Sequence, residues 1–431
     1  MLTVSLFSGC GGLDYGFEAA GCDVVLRNDF DKHSCKTLKL NSNSTVIEAP
    51  IQDVAESDFR TVVGSSKNSV DLVIGGPPCQ PFSKSAYWAK GDTLRLKDPR
   101  SNTLHEYFRV IQELRPRAFL LENVHGINYS GKEEGFQFIL NQIKEINRRL
   151  GTDYYPTWRV LNAADYGIPQ LRVRFILVAF RDGKNFHFPE PTHSDVDNVN
   201  QTLVTTARVP HVTAWDAIGE ITPEPNEKLE VGGRWANLLP TIPEGENYLW
   251  HTDRKGGLPL FGWRTRYWCF LLKLAKNRPS WTIQAQPGSA VGPFHWTNRK
   301  LSWKEMAAIQ TFPRSFRIDA PRVEIQRQIG NAVPSLLAEV LAREIVSQVT
   351  REKPRKRFQL KVQRAQSIPE PEPVAAVPRE FLPNVGRHAP HPGTGKGRSY
   401  QDKSIAPARI SVNRSSSPAN LTPSLFGNST D

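Results

Sequence analysis

The chain carries one cysteine in a setting suited to covalent chemistry. Asp71-Leu72-Val73-Ile74 predicts a buried strand, and Gly75-Gly76-Pro77-Pro78-Cys79-Gln80-Pro81-Phe82-Ser83 comes directly after it. The glycines let the backbone leave the sheet sharply. The prolines then fix an extended path, because proline sets its own φ and restricts the residue before it. Cys79 is thereby presented on a stiff loop at a strand's carboxyl end, which is where ligands and chemistry sit in open α/β sheets. A lone cysteine is ordinarily a small buried hydrophobe. Here the loop and its polar neighbours Gln80 and Ser83 point to an exposed, reactive thiol. A second apolar run, Ala118-Phe119-Leu120-Leu121, ends in Glu122-Asn123-Val124. This puts a carboxylate on the same edge, unless Glu122 caps the next element. In Gln170-Leu171-Arg172-Val173-Arg174-Phe175-Ile176-Leu177-Val178, alternation sends Gln170, Arg172 and Arg174 to one face and Leu171, Val173 and Phe175 to the other. Two arginines side by side repel unless an anion or a carboxylate lies opposite, in a site or in a salt-bridged sheet face.

The elements that would position these groups read as alternating strands and helices. Thr3 to Phe7 predicts a first buried strand, Ser8-Gly9-Cys10-Gly11-Gly12-Leu13 a glycine turn, and Asp14 to Ala20 a helix. That is the phosphate-loop layout, without the full G-x-G-x-x-G spacing, so an ordinary tight βα turn stays open. The run Cys22 to Leu26 leads to Asp29, about 20 residues past the glycines, where a carboxylate can bond ribose hydroxyls or cap a helix. Phe30 beside it could stack on a base. A third strand, Thr45 to Ile51, ends near Asp53, which could accept from an adenine amino group. Residues 80–101, with Lys84, Lys90, Arg95, Lys97 and Arg100, read as a lid or as a surface loop. Helices are predicted over 102–114 and from about Phe136 to Leu150, with a strand around Trp158 to Leu161.

From about Asp182 to Asn298 the alternation stops, and aromatics interleave with Arg and Lys, as in Gly262-Trp263-Arg264-Thr265-Arg266-Tyr267-Trp268. Such a mixture suits bases and phosphates, or a small aromatic core. Leu301 to Phe312 is helical again, with Ser302 and Glu305 spaced as a capping box. Gln328 to Pro334 leads into a last helix, Ser335 to about Thr350. From Arg351 onward Pro, Arg, Ser and Gln dominate and apolar periodicity is lost, so 351–431 is expected to be a disordered, basic and dispensable tail.

The 431 residues are enough for more than one domain, and the net charge of +12 favours a polyanionic partner, nucleic acid first. Five cysteines, at 10, 22, 35, 79 and 269, include no Cys-x-x-Cys pair. A disulfide scaffold and a metal site are therefore disfavoured, and a reducing cytoplasm is the expected location. The amino terminus lacks a basic leader, and no apolar run approaches the roughly 20 residues of a membrane span.

Taken together, the pieces resemble the DNA (cytosine-5) methyltransferase family over residues 1 to about 345, apart from the variable middle. Six segments carry the likeness in order. They are Phe7-Ser8-Gly9-Cys10-Gly11-Gly12, Gly76-Pro77-Pro78-Cys79-Gln80, Glu122-Asn123-Val124, Gln170 with Arg172 and Arg174, Arg299 through Gln310-Thr311-Phe312-Pro313, and Gly330-Asn331-Ala332-Val333-Pro334. The resemblance implies an α/β protein: a Rossmann-like, S-adenosylmethionine-dependent methyltransferase domain over 1–182 completed by 319–350, a smaller irregular target-recognition domain over 183–318, and the disordered tail. It implies methyl transfer to C5 of a flipped-out cytosine in a specific duplex sequence, through addition of Cys79 to C6. Glu122 would serve cytosine N3, Arg174 would donate to O2, and Arg172 would support it. Phe7, Gly9, Gly11, Gly12, Leu13, Asp29, Phe30, Asp53, Leu104, Asn331 and Val333 would line the cofactor. The implied partners are double-stranded DNA and a cognate restriction endonuclease, with a monomeric enzyme and no metal. The segments from Trp263 to Lys273 and from Trp281 to Trp296 are candidates for groove contact. A transfer-RNA methyltransferase and a non-catalytic DNA-binding relative share the scaffold. The first is separated by labelled-methyl incorporation into duplex DNA against transfer RNA, the second by the presence here of both Cys79 and Glu122.

Overall fold

The apolar runs form a single seven-stranded sheet in the computed structural model, which describes residues 1–64, 70–78, 102–125, 134–195, 208–253, 255–261, 268–352 and 357–386. Cys79 and the loop 80–101 lie outside the described residues, as do 387–431. All described residues belong to one unit, Met1–Pro390.

The first half alternates as expected: β1 (Leu2–Leu6), α1 (Gly12–Ala19), β2 (Asp23–Asp29), α2 (Lys32–Asn41), β3 (Thr45–Glu48), α3 (Glu56–Val63), β4 (Leu72–Gly75), α4 (Asn102–Leu114), β5 (Ala118–Val124), α5 (Glu134–Leu150) and β6 (Tyr155–Asn162). Two pieces come next in place of the single strand read over 170–178, β7 (Gln170–Leu171) and β8 (Val173–Phe180). The sheet order is β3-β2-β1-β4-β5-β8-β6. Strands β3 to β5 are parallel, and β8 runs antiparallel to both β5 and β6. The strand order reverses between β1 and β4, which opens a crevice at the carboxyl edge. Because β8 runs the other way, its first residues reach the edge where β4 and β5 end.

Both faces of the sheet are covered, as buried parallel strands require. Phe59, Tyr107, Phe108, Phe119 and Ile139 fill one side. Phe17, Leu72, Leu120, Ile176, Leu337 and Leu341 fill the other. The second half of the chain supplies β9 (His193–Ser194), β10 (Val209–Pro210), α6 (Ala214–Ile218), β11 (Ser280–Trp281), α7 (Trp303–Ile309), α8 (Arg322–Asn331) and α9 (Ser335–Thr350). The Ser302–Glu305 capping box forms as read, with each partner's backbone N–H held by the other's side chain. Helix α9 returns to pack on α1, and two glycines allow the approach. A Cβ on Gly12 would strike the Val333 backbone, and one on Gly16 would strike the α9 backbone at Ser335 and Glu339. Since backbone cannot yield as a side chain can, Gly16→Val is expected to destabilise the fold by about 1–3 kcal/mol. The check is a lower urea midpoint at unchanged slope.

Between these elements a separate apolar cluster gathers Leu238, Ile242, Tyr248, Leu260, Leu271 and Phe294. The same cluster contains Phe381, which is 3% exposed and stacks on Trp235 at 5.6 Å between ring centres. The expectation of a tail from 351 onward is therefore corrected over 357–386. Proline-rich sequence lacks periodicity, yet it favours an extended path with little chain entropy to lose, and this segment uses that path to lie along the body.

Among the described residues no helix is long and apolar enough to cross a membrane, and no cluster of His, Cys, Asp or Glu could hold a metal ion.

Candidate active site

The carboxyl edge gathers three approaches to one place. Strand β4 ends at Gly75, and Gly76-Pro77-Pro78 leads away toward position 79. Strand β5 delivers Glu122, and β8 delivers Arg174 from the opposite direction, with Val124 opposite Arg174 in register. Arg174 Nε lies 2.8 Å from Glu122 Oε1, and both side chains are about seven-eighths buried. The carboxylate opposite the arginine, required on repulsion grounds, is thus Glu122.

The pair is held under electrostatic tension. Burial pushes the Glu122 carboxyl above its ordinary range, and the nearby Arg174 and then Arg172 pull it back only in part. Burial likewise lowers Arg174, with Glu122 opposing. A buried carboxyl whose proton is held more tightly than usual, with a fixed guanidinium beside it, can donate to one heteroatom while the cation holds the next.

Gly76 keeps the approach open. A Cβ there would come within 2.8 Å of Glu122 Oε2. Gly76→Ala is expected to displace the carboxyl and cut turnover by more than about tenfold, since small misplacements of catalytic groups are costly. Unchanged turnover would show that Glu122 has room to move. The loop itself is pinned from two sides: Asn123 Nδ2 donates to Pro77 O at 3.2 Å, and Thr103 Oγ1 donates to Pro78 O at 3.1 Å. Sequence reasoning singles out neither residue, although Asn123 sits inside the Glu-Asn-Val motif. The chain entering Cys79 is therefore fixed up to its last peptide.

The other four cysteines offer no rival thiol. They are free, and Cys10, Cys22 and Cys35 are buried. Burial raises all four, Cys22 to about 11 and Cys35 to about 12. A thiol held protonated is a poor nucleophile.

Arg172 goes elsewhere than expected. The run from Gln170 breaks at Arg172, and around the break the polar members turn inward: Gln170 is 0% and Arg172 1% exposed, while Val173 is 41% exposed and Phe175, farther along, is in the core. Arg172 Nη2 donates to Gly330 O at 2.9 Å, and Nη1 lies 3.5 Å from Ile283 O. Gln170 Nε2 donates to Gln310 Oε1 at 3.0 Å, and Gln310 in turn donates to Ile329 O and Ala332 O. These side chains tie the returning segment to the sheet edge. Arg172 hydrogen-bonds the returning segment and reaches Glu122 only through its charge, whereas Arg174 makes the ion pair.

At the β1 and β2 ends, the candidate cofactor residues come together in part. Phe7 has a positive φ of 54°, and Gly11, also left-handed, caps α1. Leu13 is buried in the first turn of α1. Asp29 accepts from Gly9 N at 2.8 Å and Asp31 N at 2.9 Å. One oxygen thus orders the glycine turn and the other the entry to α2, and each keeps a further lone pair. The helix cap considered for Asp29 is made by Asp31, which accepts from Ser34 N. Phe30 is 64% exposed beside that buried carboxylate, an open aromatic face at the crevice. Asp53 is not at a strand end: β3 stops at Glu48, and Asp53 lies exposed in a short 3-10 turn. Leu104 starts α4 and is buried in the main core. Arg109 of the same helix donates to Ile51 O and Val54 O, which brings the Asp53 turn against α4. Val333 is buried with its carbonyl against Gly12, and Asn331 is exposed close by. The Arg327–Asp31 ion pair at 2.8 Å further ties α8 to the end of β2.

The chain also matches known proteins over most of its length. The family model for the C-5 cytosine-specific DNA methylase matches residues 1–347. The Type II methyltransferase M.SacI of Streptomyces achromogenes is 40% identical over 369 residues, covering 80% of this chain and 93% of its own. M.NgoFVII of Neisseria gonorrhoeae is 32% identical over 80% of this chain and 86% of its own. Among solved structures, a variant of Spodoptera frugiperda DNMT2 superposes with a TM-score of 0.55 at 17% identity, covering 80% of this chain and 99% of that one. Entamoeba histolytica methyltransferase EhMeth superposes at 0.53 and 15%, covering 81% and 98%. At those identities the superpositions bear on the fold alone. With the family model spanning both the glycine turn and the returning segment, the chain belongs to the C-5 cytosine-specific DNA methylase family and is a DNA (cytosine-5) methyltransferase.

Proposed function

We propose that this enzyme methylates C5 of a cytosine flipped out of a specific duplex sequence, through a covalent bond between Cys79 and C6, with S-adenosylmethionine as donor. The observation that carries the reading is the Glu122–Arg174 pair, set on the edge where the Gly76-Pro77-Pro78 loop is pinned.

Unassisted cytosine C5 is a weak nucleophile, and it is unreachable inside a duplex. The Cys79 thiolate adds to C6, its electron pair making the S–C6 bond while the C5–C6 π pair localises at C5. Glu122 gives its proton to N3, which prevents negative charge from accumulating on the ring. Arg174 donates to O2 and keeps the Glu122 proton transferable by its charge. After C5 has been methylated, a base removes the C5 proton, the C5–C6 double bond reforms, the sulfur leaves with its bonding pair, and N3 returns its proton to Glu122. When bound, S-adenosylmethionine supplies the electrophilic methyl group. Its adenosine would be held by Asp29 at the ribose and Phe30 at the base. The spare acceptor positions on Asp29 and the open ring face of Phe30 fit such a group. Asp53 would meet the adenine amino group and Leu104 would pack on the ring. Phe7, Gly9, Gly11, Gly12 and Leu13 would line the remainder, closed by Asn331 and Val333.

The region 183–318 would read the DNA. Its link to the site is β11, where Trp281 pairs with Leu171 beside Arg172 and packs edge-on against Trp268, whose ring is 43% exposed. Positions 263–267 of the first groove-contact segment lie outside the described residues. The catalytic domain would comprise 1–182 and 319–350. The relatives' names as Type II methyltransferases support a restriction-modification setting with a cognate endonuclease, and a monomer is the working state. The test is labelled-methyl incorporation into duplex DNA and into transfer RNA, followed by bisulfite sequencing of host DNA. The reading expects 5-methylcytosine within one short duplex sequence; methylated transfer RNA with unmodified DNA would overturn it.

A further inference from the structure

Residues 357–386 run from one core to another. At its start the segment is seized by α9. Glu339, fully buried in that helix, accepts from Gln359 N at 2.8 Å and Leu360 N at 2.9 Å, and Leu360 packs on the cluster shared by α1 and α9. Arg343, one turn on, lies 3.5 Å from the same carboxylate and balances its charge, and the two amides of the segment satisfy its remaining acceptor positions, which commits the chain to this path because buried acceptors left unmet are costly. Farther on, Ala365 N donates to Asp216 Oδ1 at 2.9 Å. Lys276 Nζ, in a side chain 4% exposed, is shared between Glu244 at 2.9 Å, the Glu370 carbonyl at 2.8 Å and Glu372 at 2.9 Å. The segment ends with Phe381 inserted in the middle region's own cluster against Trp235.

We propose that this segment is a strap that sets the middle region's position relative to the catalytic edge, and that Phe381 and Glu372 are positioning residues for target recognition. The geometry separates this from a general contribution to folding. Among the described residues the strap's hydrogen bonds to the catalytic core are at α9; it then bonds in succession to the Pro210 and His211 carbonyls through Arg364, to α6, to the Lys276 loop and to the Trp235 cluster, all in the stretch 210–294. It touches neither Asp29 nor Glu122. Its prolines at 369, 371, 373 and 378 give it the stiffness a spacer needs, so a fixed end at α9 becomes a fixed position at Trp235. The proposal rests on the assignment of 183–318 as the DNA-reading region.

The test uses the full-length chain with Phe381→Ala and, separately, Glu372→Gln, an exposed and milder change. Phe381→Leu serves as the conservative rescue. For Phe381→Ala, KM for the duplex target is expected to rise between about 5- and 150-fold, the usual range for coupling between separate sites, and discrimination against one-base variants of the target to fall. Affinity for S-adenosylmethionine, measured by equilibrium dialysis, should stay within about twofold, as for sites that share no partners. Glu372→Gln should show the same pattern at smaller amplitude, and Phe381→Leu should restore most of the loss. Parallel loss of cofactor affinity and duplex KM in both variants would reduce the strap to a folding element and overturn the proposal. So would unchanged KM and discrimination in both. Trp268→Ala is run alongside: if it too leaves duplex KM unchanged, the assignment of the middle region fails; if it raises KM while Phe381→Ala does not, the strap alone fails.

Discussion

Cys79→Ser is expected to bring methyl transfer to the limit of detection while S-adenosylmethionine still binds. A hydroxyl in place of the thiol is far less acidic and far less polarizable, and no other described cysteine can substitute, since burial holds those thiols protonated. The proposed cofactor contacts, Asp29 with the glycine turn and Phe30 beyond it, lie on β1 and β2 and do not depend on the loop after β4. Equilibrium dialysis with labelled cofactor, paired with a methyl-transfer assay, checks both halves. Loss of cofactor binding in this variant would place Cys79 in the structural framework and count against a nucleophilic role.

Glu122→Gln is the second large effect. The amide keeps an oxygen for Arg174 Nε, so the fold should survive with a small change in thermal midpoint. It can donate a hydrogen bond to N3 but cannot deliver a proton. Loss of a positioned general acid is worth about 10²–10⁴ in rate, and kcat should fall within that span. The pH dependence comes from the direction of the shift. Burial raises the folded carboxyl above its unfolded value. Its contribution to stability is thus complete below the ordinary carboxylate range and is lost as pH rises through the raised value. Activity has the same sign, because the protonated form is the competent one: kcat/KM should decline on the alkaline side of that value. Arg174 pulls the carboxyl down, so Arg174→Gln should move the limb to higher pH even as it lowers the maximum. In Glu122→Gln the limb should be absent. A limb that persists unchanged in Glu122→Gln would assign it to another group.

Much of this arrangement is legible in the residues. Apolar runs of four or five ending in Gly, Asp or Glu mark β1, β2, β4 and β5, because fully buried parallel strands need no alternation and their carboxyl ends carry the polar groups. The Ser302–Glu305 box is readable because capping is local in sequence. The demand that a carboxylate face the arginines is also readable, and Glu122 meets it. The features that escape the sequence depend on distant partners. Arg172 reads as a companion of Arg174 because alternation says which face a side chain takes, not how far a long guanidinium reaches. Its partners, the carbonyls of Gly330 and Ile283, lie 158 and 111 residues away. Gly12 and Gly16 read as turn and helix residues, and their use as a seat for α9 emerges only when the last helix is in place. The strap escapes because proline and charge without periodicity describe both a free tail and an extended chain held by discrete anchors. Phe381 is buried and Leu360 partly buried, but in the sequence they stand among other scattered apolar residues such as the exposed Phe358, Ile368 and Leu382, so nothing local marks them as anchors.

The central claim, that a sulfur at position 79 bonds to the ring, has a direct measurement. Duplex of random sequence carrying 5-fluorocytosine is incubated with enzyme and S-adenosylmethionine, and the product is digested and mapped by mass spectrometry. Fluorine at C5 cannot leave as the proton does, so the double bond cannot reform and the sulfur stays attached. The account expects a stable protein–DNA adduct whose mass includes one transferred methyl group and whose modified residue is Cys79. An adduct at Cys10, Cys22, Cys35 or Cys269, or full turnover with no adduct, would contradict it.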